Sequence, residues 1–590
     1  MNWRDLLLLF LLGWIAVTLV GAFQPAPGYM DADYYYATGL QLAAGRGFIE
    51  PFLWNYLDDP AGLPHPSHAY WMPLASLLAA IVPALFGPVS WFAARLPFFL
   101  AAACLPPLTA ALAFSLTSRR SLALTSGLLA VFSGLYLPFL ATTDTFGLYM
   151  LFGGIFFLLI SRASSSPLPS SSLPSSPLPS SLPSYPLPSS LPSSPLPSSL
   201  PSYPLPSSLP SSPLPSSLPS SPLPSSLLTS SSSSPSIFSR FTFPFLLGLL
   251  VGLLHLSRAD GLLWLLIACM AAIFVLPKPP ARRVLFTFSF LLFTLLGYFL
   301  PMAPWFARNH AAFGAFLAPG GSKMLWLTHY DQIFSYPSSG LTFDAWWSAG
   351  LGELLRARLW ALGLNAANTL TVQGGIFLLP LIVIGVWQMR RNRTVQLALL
   401  AWGMTLGVMT LVFPFAGARG GYFHSGAALQ PVWWALAPLG LERVLEWGRA
   451  RRGWDLAQAR PFFTAALVGL AIFLTALSLA LRLPDWGEEN DAYNQISEYL
   501  AAQALPDDTV VIVANPPGFY LASGNPAIVV PACDPQTLLD LARRYQAGYL
   551  ILEPGSVPAA LMPVYENPQH FPGLTYLGEV EGARLYVIRP

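Results

Sequence analysis

Residues 1–48, MNWRDLLLLFLLGWIAVTLVGAFQPAPGYMDADYYYATGLQLAAGRGF, pass from an almost unbroken apolar run into a stretch that opens with two carboxylates, Asp31 and Asp33. The run over 1–23 is long enough to cross the roughly 30 Å of hydrocarbon in a bilayer as a helix. A backbone in lipid has no water to bond with, so it must satisfy itself as a helix or a closed barrel, and continuous rather than alternating apolar runs select the helix. Val20-Gly21-Ala22 is also a passable signal-cleavage site. The apolar core is longer than a signal's, however, and more spans follow, so the segment reads as an uncleaved anchor.

The rest of the chain has the same character. Of its 590 residues 54% are hydrophobic and only 9% charged, with 13% aromatics, a composition at odds with a water-soluble globule. The formal net charge of +2 is too small to suggest a nucleic-acid partner. Cys104 and Cys269 lie inside apolar segments and Cys533 stands alone in the polar tail, which excludes a disulfide framework and a cysteine metal centre.

Apolar windows fall near 5–23, 95–116, 121–140, 145–161, 241–256, 261–277, 284–302, 373–389, 395–414, 426–441 and 461–482. The expected fold is mainly α, a polytopic membrane helical bundle of about eleven spans. With the N-terminus inside, about sixteen of the 29 Lys and Arg residues collect in short cytoplasmic stretches, including Arg119 and Arg120, Arg390 to Arg393, and Arg443 to Arg460. The window 70–87 holds Pro73 and Pro83, and counting it as a span would turn the basic loops outward. It therefore reads as an interfacial or re-entrant helix on the outer face.

This topology divides the chain. Residues 1–162 carry the first spans, with an external loop at 24–94 that holds Asp31 and Asp33. Residues 163–236 are a Ser, Pro and Leu repeat without charge, expected to be a disordered cytoplasmic insert. Residues 237–482 carry the remaining spans and a large external loop at 303–372. From 485 to 590 the pattern turns soluble, with TVVIVAN, AIVVPA and GYLILE as short buried strands and PQTLLDLARRY as a helix, so a small C-terminal extracytoplasmic α/β domain is expected.

A charge near hydrocarbon is costly unless paired or at work. On the outer side this singles out Asp31 and Asp33, Asp144 in LPFLATTDTFGLY, Arg258 and Asp260 in HLSRADGLLWLL, Arg308, and Arg419 in GARGGYFHS. Each has a plain reading beside a chemical one. Asp31 could cap the helix that follows, or, with Asp33, act as a general base or hold a divalent cation. Arg258 and Asp260 could be an ion pair that locks a turn. Arg419 could be a stop-transfer charge, although it lies on the less favoured side for one, or an anion ligand. His65 and His68, in LPHPSHAYW, read as loop packing, since no further metal ligands stand near them in sequence.

An N-terminal span, then MDADYYYATGLQLAAGRGF, HPSHAYWMPL and FGPVSWFAARL, and later SRADGLLWLL and PWFARNHAAFG, resembles the GT-C superfamily of polytopic glycosyltransferases, such as the protein O-mannosyltransferases and the aminoarabinose transferase. The resemblance covers roughly residues 1–480 apart from the insert. It implies that Asp31 matches the essential acid of the first external loop, with Asp33 as second acid, although Ala32 separates two residues that the superfamily often has adjacent. It further implies Asp144 and Asp260 in support, and Arg258, Arg308 and Arg419 as candidate ligands of the donor phosphate. The implied reaction transfers a sugar from a polyprenyl-phosphate donor to a glycan, lipid or protein acceptor outside the plasma membrane, with inversion and a possible divalent cation. A transporter or lipid-glycan flippase is the alternative, and a catalytically inactive scaffold a third.

Overall fold

The computed structural model describes residues 1–165, 237–275, 283–503, 506, 508–569 and 571–589. The Ser and Pro repeat expected to be disordered lies almost wholly outside them. Seven described helices are long and apolar enough to cross a membrane: Trp3–Ala22, Leu96–Thr117, Arg120–Leu140, Phe146–Ser164, Val284–Phe313, Arg393–Val412 and Leu456–Arg482. The apolar helices Leu74–Phe86, Phe241–Ser257, Ala259–Ile273 and Leu379–Gln388 are shorter. The helix Leu74–Phe86 has 13 residues, well under the roughly 20 that a span needs.

The helix Gln430–Arg452 is of a different kind. It is buried from Gln430 to Pro438, and its lower half carries Glu442, Arg443 and three further arginines. The enclosure ends with the apolar half: Arg443, Arg449, Arg451 and Arg452 are exposed, while the buried charge is Glu442. Glu442 is satisfied by Arg119 and Arg460.

The soluble-type segments build a six-stranded sheet in the order Phe52–Leu53, Ala527–Val529, Val510–Val513, Ala547–Leu552, Ala583–Ile588 and Leu574–Val580. The first four strands are parallel and the last two antiparallel. Val511, Ile512 and Val513 are wholly buried, as expected of a central parallel strand covered on both faces. One edge strand is contributed from far away in sequence: Phe52 and Leu53 pair with Ala527 and Ile528. The loop that follows the first helix is thereby stitched to the end of the chain.

Candidate functional site

Asp31 and Asp33 lie in the first turn of the helix Met30–Ala43, whose N-cap is Tyr29 in extended conformation; no side chain caps the helix. Asp31 therefore does not spend its carboxylate on capping. Its side chain is 29% exposed and opens into a cavity of about 880 Å³.

Two other segments meet it there. Asp144 sits in the tight turn before the helix Phe146–Ser165, where Tyr29 donates its phenolic hydrogen to Oδ2 at 2.8 Å. Thr143 donates to the carbonyl of Ala32 at 2.7 Å, tying this turn to the helix of Asp31. Arg95, 0% exposed, braces the same region by donating to the carbonyls of Gly21 and Ala141 and to Gln24 Oε1. The third contributor is His424, brought in by a break in the backbone. Gly420, at φ 130°, interrupts the helical turn after Arg419; that left-handed conformation favours glycine. Gly153 lets the helix Phe146–Ser165 approach the backbone of Ala428, because a Cβ there would collide with the Ala428 carbonyl.

His424 Nε2 lies 3.0 Å from Asp144 Oδ2 and 3.7 Å from Asp31 Oδ2. Its Nδ1 is 3.0 Å from the carbonyl of Gly420. A carbonyl only accepts, so Nδ1 carries the hydrogen. A neutral ring then turns the lone pair of Nε2 toward two carboxylates, an arrangement relieved by a proton or a metal ion between them. One ligand atom from each of Asp31, Asp144 and His424 lies within 4.8 Å of the others, and two carboxylates with one imidazole form a donor set suited to zinc and similar divalent ions. The residues present thus fit a divalent cation. Burial, and next the neighbouring Asp144 carboxylate, raise Asp31 above the usual carboxylate range, against the pull of His424. Burial also opposes ionisation of Asp144, but His424, Thr145 and Tyr29 outweigh it and hold that carboxyl below the usual range.

The remaining expected residues divide between the cavity and its surroundings. Arg258 and Asp260 line the cavity and form an ion pair at 2.8 Å, with Asp260 also accepting from Tyr149. Arg419 lines it too, over the ring of Tyr330 at 4.9 Å, and forms no ion pair among the described residues. Arg308 is elsewhere: it donates to the carbonyls of Phe48 and Ser67 and packs against Phe48, Trp305 and Phe313. Asp33, 6% exposed, also points away from Asp31 and accepts from Asn515 of the C-terminal segment at 2.8 Å. Burial, and then Glu489, push it well above the carboxylate range, and Asn515 partly compensates. His65 and His68 do not share a centre. His65 lies between Glu50 and Asp58, and His68 faces Ser67 and Ser76.

Sequence reasoning missed His424 and Tyr29. His424 stands five residues beyond Arg419 in the quoted GARGGYFHS, so the signal was present, but nothing in its spacing points toward residues 31 or 144.

No family model matches the chain, and no curated protein matches it by sequence. Solved structures do. ArnT from Cupriavidus metallidurans, bound to undecaprenyl phosphate, aligns over 100% of this chain and 98% of its own, at 10% identity and a TM-score of 0.51. The Archaeoglobus fulgidus oligosaccharyltransferase, in complex with Zn and sulfate, aligns over 98% of this chain and 73% of its own, at 12% identity and a TM-score of 0.50. Along nearly its whole length, the chain shares its fold with these two structures.

Proposed function

We propose that the chain transfers a sugar from a polyprenyl-phosphate donor to an acceptor hydroxyl on the extracytoplasmic face of the plasma membrane. One observation carries this reading: Asp31 and His424, backed by the buried Asp144, stand at a cavity with an apolar wall that includes Leu262, Leu265, Leu266, Val408 and Phe413. Such a space suits a ligand with a charged head and a long hydrocarbon tail. ArnT, whose fold the chain shares, was solved with undecaprenyl phosphate. The clustering of basic residues sets the face, with the N-terminus in the cytoplasm and the trio outside.

In this reaction the acceptor oxygen attacks the anomeric carbon as the carbon–oxygen bond to the lipid phosphate breaks. The bonding pair leaves with the phosphate, the acceptor's proton passes to Asp31, and the sugar inverts. Tyr29 holds Asp144, and Asp144 with the Gly420 carbonyl holds His424 beside Asp31. Arg419 stands free to meet the departing phosphate, since a guanidinium matches phosphate oxygens two at a time. Arg258, already paired with Asp260, sets the position of that wall. A divalent cation, held by Asp31, Asp144 and His424, would neutralise phosphate charge when bound; the Archaeoglobus enzyme was solved with Zn. Arg308 and Asp33, each satisfied outside the trio, hold the loop in shape.

The test is Asp31→Asn in full-length protein reconstituted into proteoliposomes. Sugar transfer is expected to fall by about 10²–10⁴-fold, with undecaprenyl phosphate still bound. Transfer at the wild-type rate would overturn the assignment.

A further inference from the structure

The wall of the cavity opposite the apolar helices comes from loops, and it is made of rings. Trp54, Tyr70 and Trp71 enter from the segment after the first helix, and Tyr330 and Phe334 from the loop beyond Phe313. These rings are fixed against one another. Trp54 and Trp71 stack at 4.0 Å, Tyr70 meets Trp54 edge-on at 4.9 Å, and Tyr330 meets Phe334 at 6.2 Å. Rings held this way keep their place without a ligand, so little freedom is lost when one binds.

The charges in the lining are few. They belong to Asp31, His424, the Arg258–Asp260 pair and Arg419. Arg258 is neutralised by Asp260, which leaves one unpaired guanidinium. The donor's phosphate uses it. A second anionic group, on a phosphorylated lipid or an acidic polymer, would find no further unpaired guanidinium in the lining to receive it. A peptide lacks a different element: extended peptides dock by adding to a strand edge, and no described residue lining the cavity is in a strand. An uncharged carbohydrate meets neither obstacle, since its rings offer apolar C–H faces to aromatic side chains and hydroxyls to the carboxylates.

Resting on the glycosyltransferase reading, we infer that Trp54, Tyr70 and Trp71 form the acceptor subsite and that the acceptor is a neutral glycan. The hydroxyl to be modified points from this shelf toward Asp31.

Binding to the full-length protein in nanodiscs tests this with two separate probes. One is undecaprenyl phosphate. The other is a panel of fluorescent oligosaccharides, neutral and sulfated, together with an uncharged peptide. At least one neutral oligosaccharide is expected to bind. Tyr70→Ala and the milder Trp71→Phe are each expected to weaken it, the former by about tenfold, while undecaprenyl phosphate binds both variants as it binds the wild type. That second measurement also shows that the variants are folded. Undecaprenyl phosphate bound, with every neutral oligosaccharide rejected or with the peptide or sulfated sugars preferred, overturns the acceptor assignment alone. Failure to bind undecaprenyl phosphate overturns the donor reading on which it rests.

Discussion

The loop between residues 24 and 94 contributes to two groupings of the same composition, and they have opposite characters. Asp31, Asp144 and His424 bring two carboxylates and an imidazole to a cavity. Glu50, Asp58 and His65 bring two carboxylates and an imidazole together away from that cavity, with side chains 5%, 7% and 9% exposed. His65 spans the two acids, at 3.5 Å from Glu50 and 3.1 Å from Asp58, and Tyr34 supplies Glu50 with a further hydrogen bond at 2.6 Å. Burial alone would lower the basicity of His65, but the adjoining carboxylates of Asp58 and Glu50 outweigh this and push it up to about 9. Here the histidine is a proton-bearing clip. In the first grouping, Asp31 receives no comparable closure. Residue types therefore do not separate the two groupings; access to a cavity does.

The comparison can be broken most sharply at the histidines. His65→Gln leaves Glu50 and Asp58 buried without their cation, and the folded protein should lose about 3 kcal/mol, measured as a drop in unfolding temperature in detergent. Sugar transfer by the folded fraction should be unchanged. If transfer failed while stability held, the two groupings would have to exchange roles.

A second contrast lies between two arginines. Arg419→Gln should weaken binding of undecaprenyl phosphate by about 10–100-fold, the worth of a hydrogen bond to a charged group. Arg308→Gln, whose donors end on backbone carbonyls, should leave that affinity alone and lower stability instead. Titration calorimetry in nanodiscs distinguishes them.

The smallest effect is a pH dependence. The folded protein holds a proton on His65 more tightly than the unfolded chain does, where the value is about 6.5. Its stabilisation is thus complete below pH 6.5, fades as pH rises and is gone above about 9. The unfolding temperature should decline across that window, and His65→Gln should lose this part of the slope.

The sequence exposes some of this and conceals the rest. Long apolar runs are visible because lipid leaves a helix no other partner, and VVIV or LILE are visible because a covered strand is apolar throughout. Asp31 was legible as an acid beside a span. Its partner His424 was not, because the contact between residues 31 and 424 depends on how helices pack and on a single glycine break, and no local period records that. Asp33 shows the converse. Two acids one residue apart look like a pair, but on a helix such residues face different ways, and only the fold reveals that Asn515 receives the second one. The helix Gln430–Arg452 was legible as the apolar window 426–441, while its continuation through the exposed arginines to Arg452 was not.

The strand Phe52–Leu53 pairs with a segment that is synthesised long after it. Until residues 527–529 leave the ribosome, the loop bearing Asp31 lacks its sheet partner, and Asp33 lacks Asn515. Assembly is thus ordered: the first spans are made before this sheet can close, and the loop bearing Asp31 reaches its final shape after them. A chain cut short before residue 515 therefore lacks both the sheet partner of Phe52–Leu53 and the amide that receives Asp33.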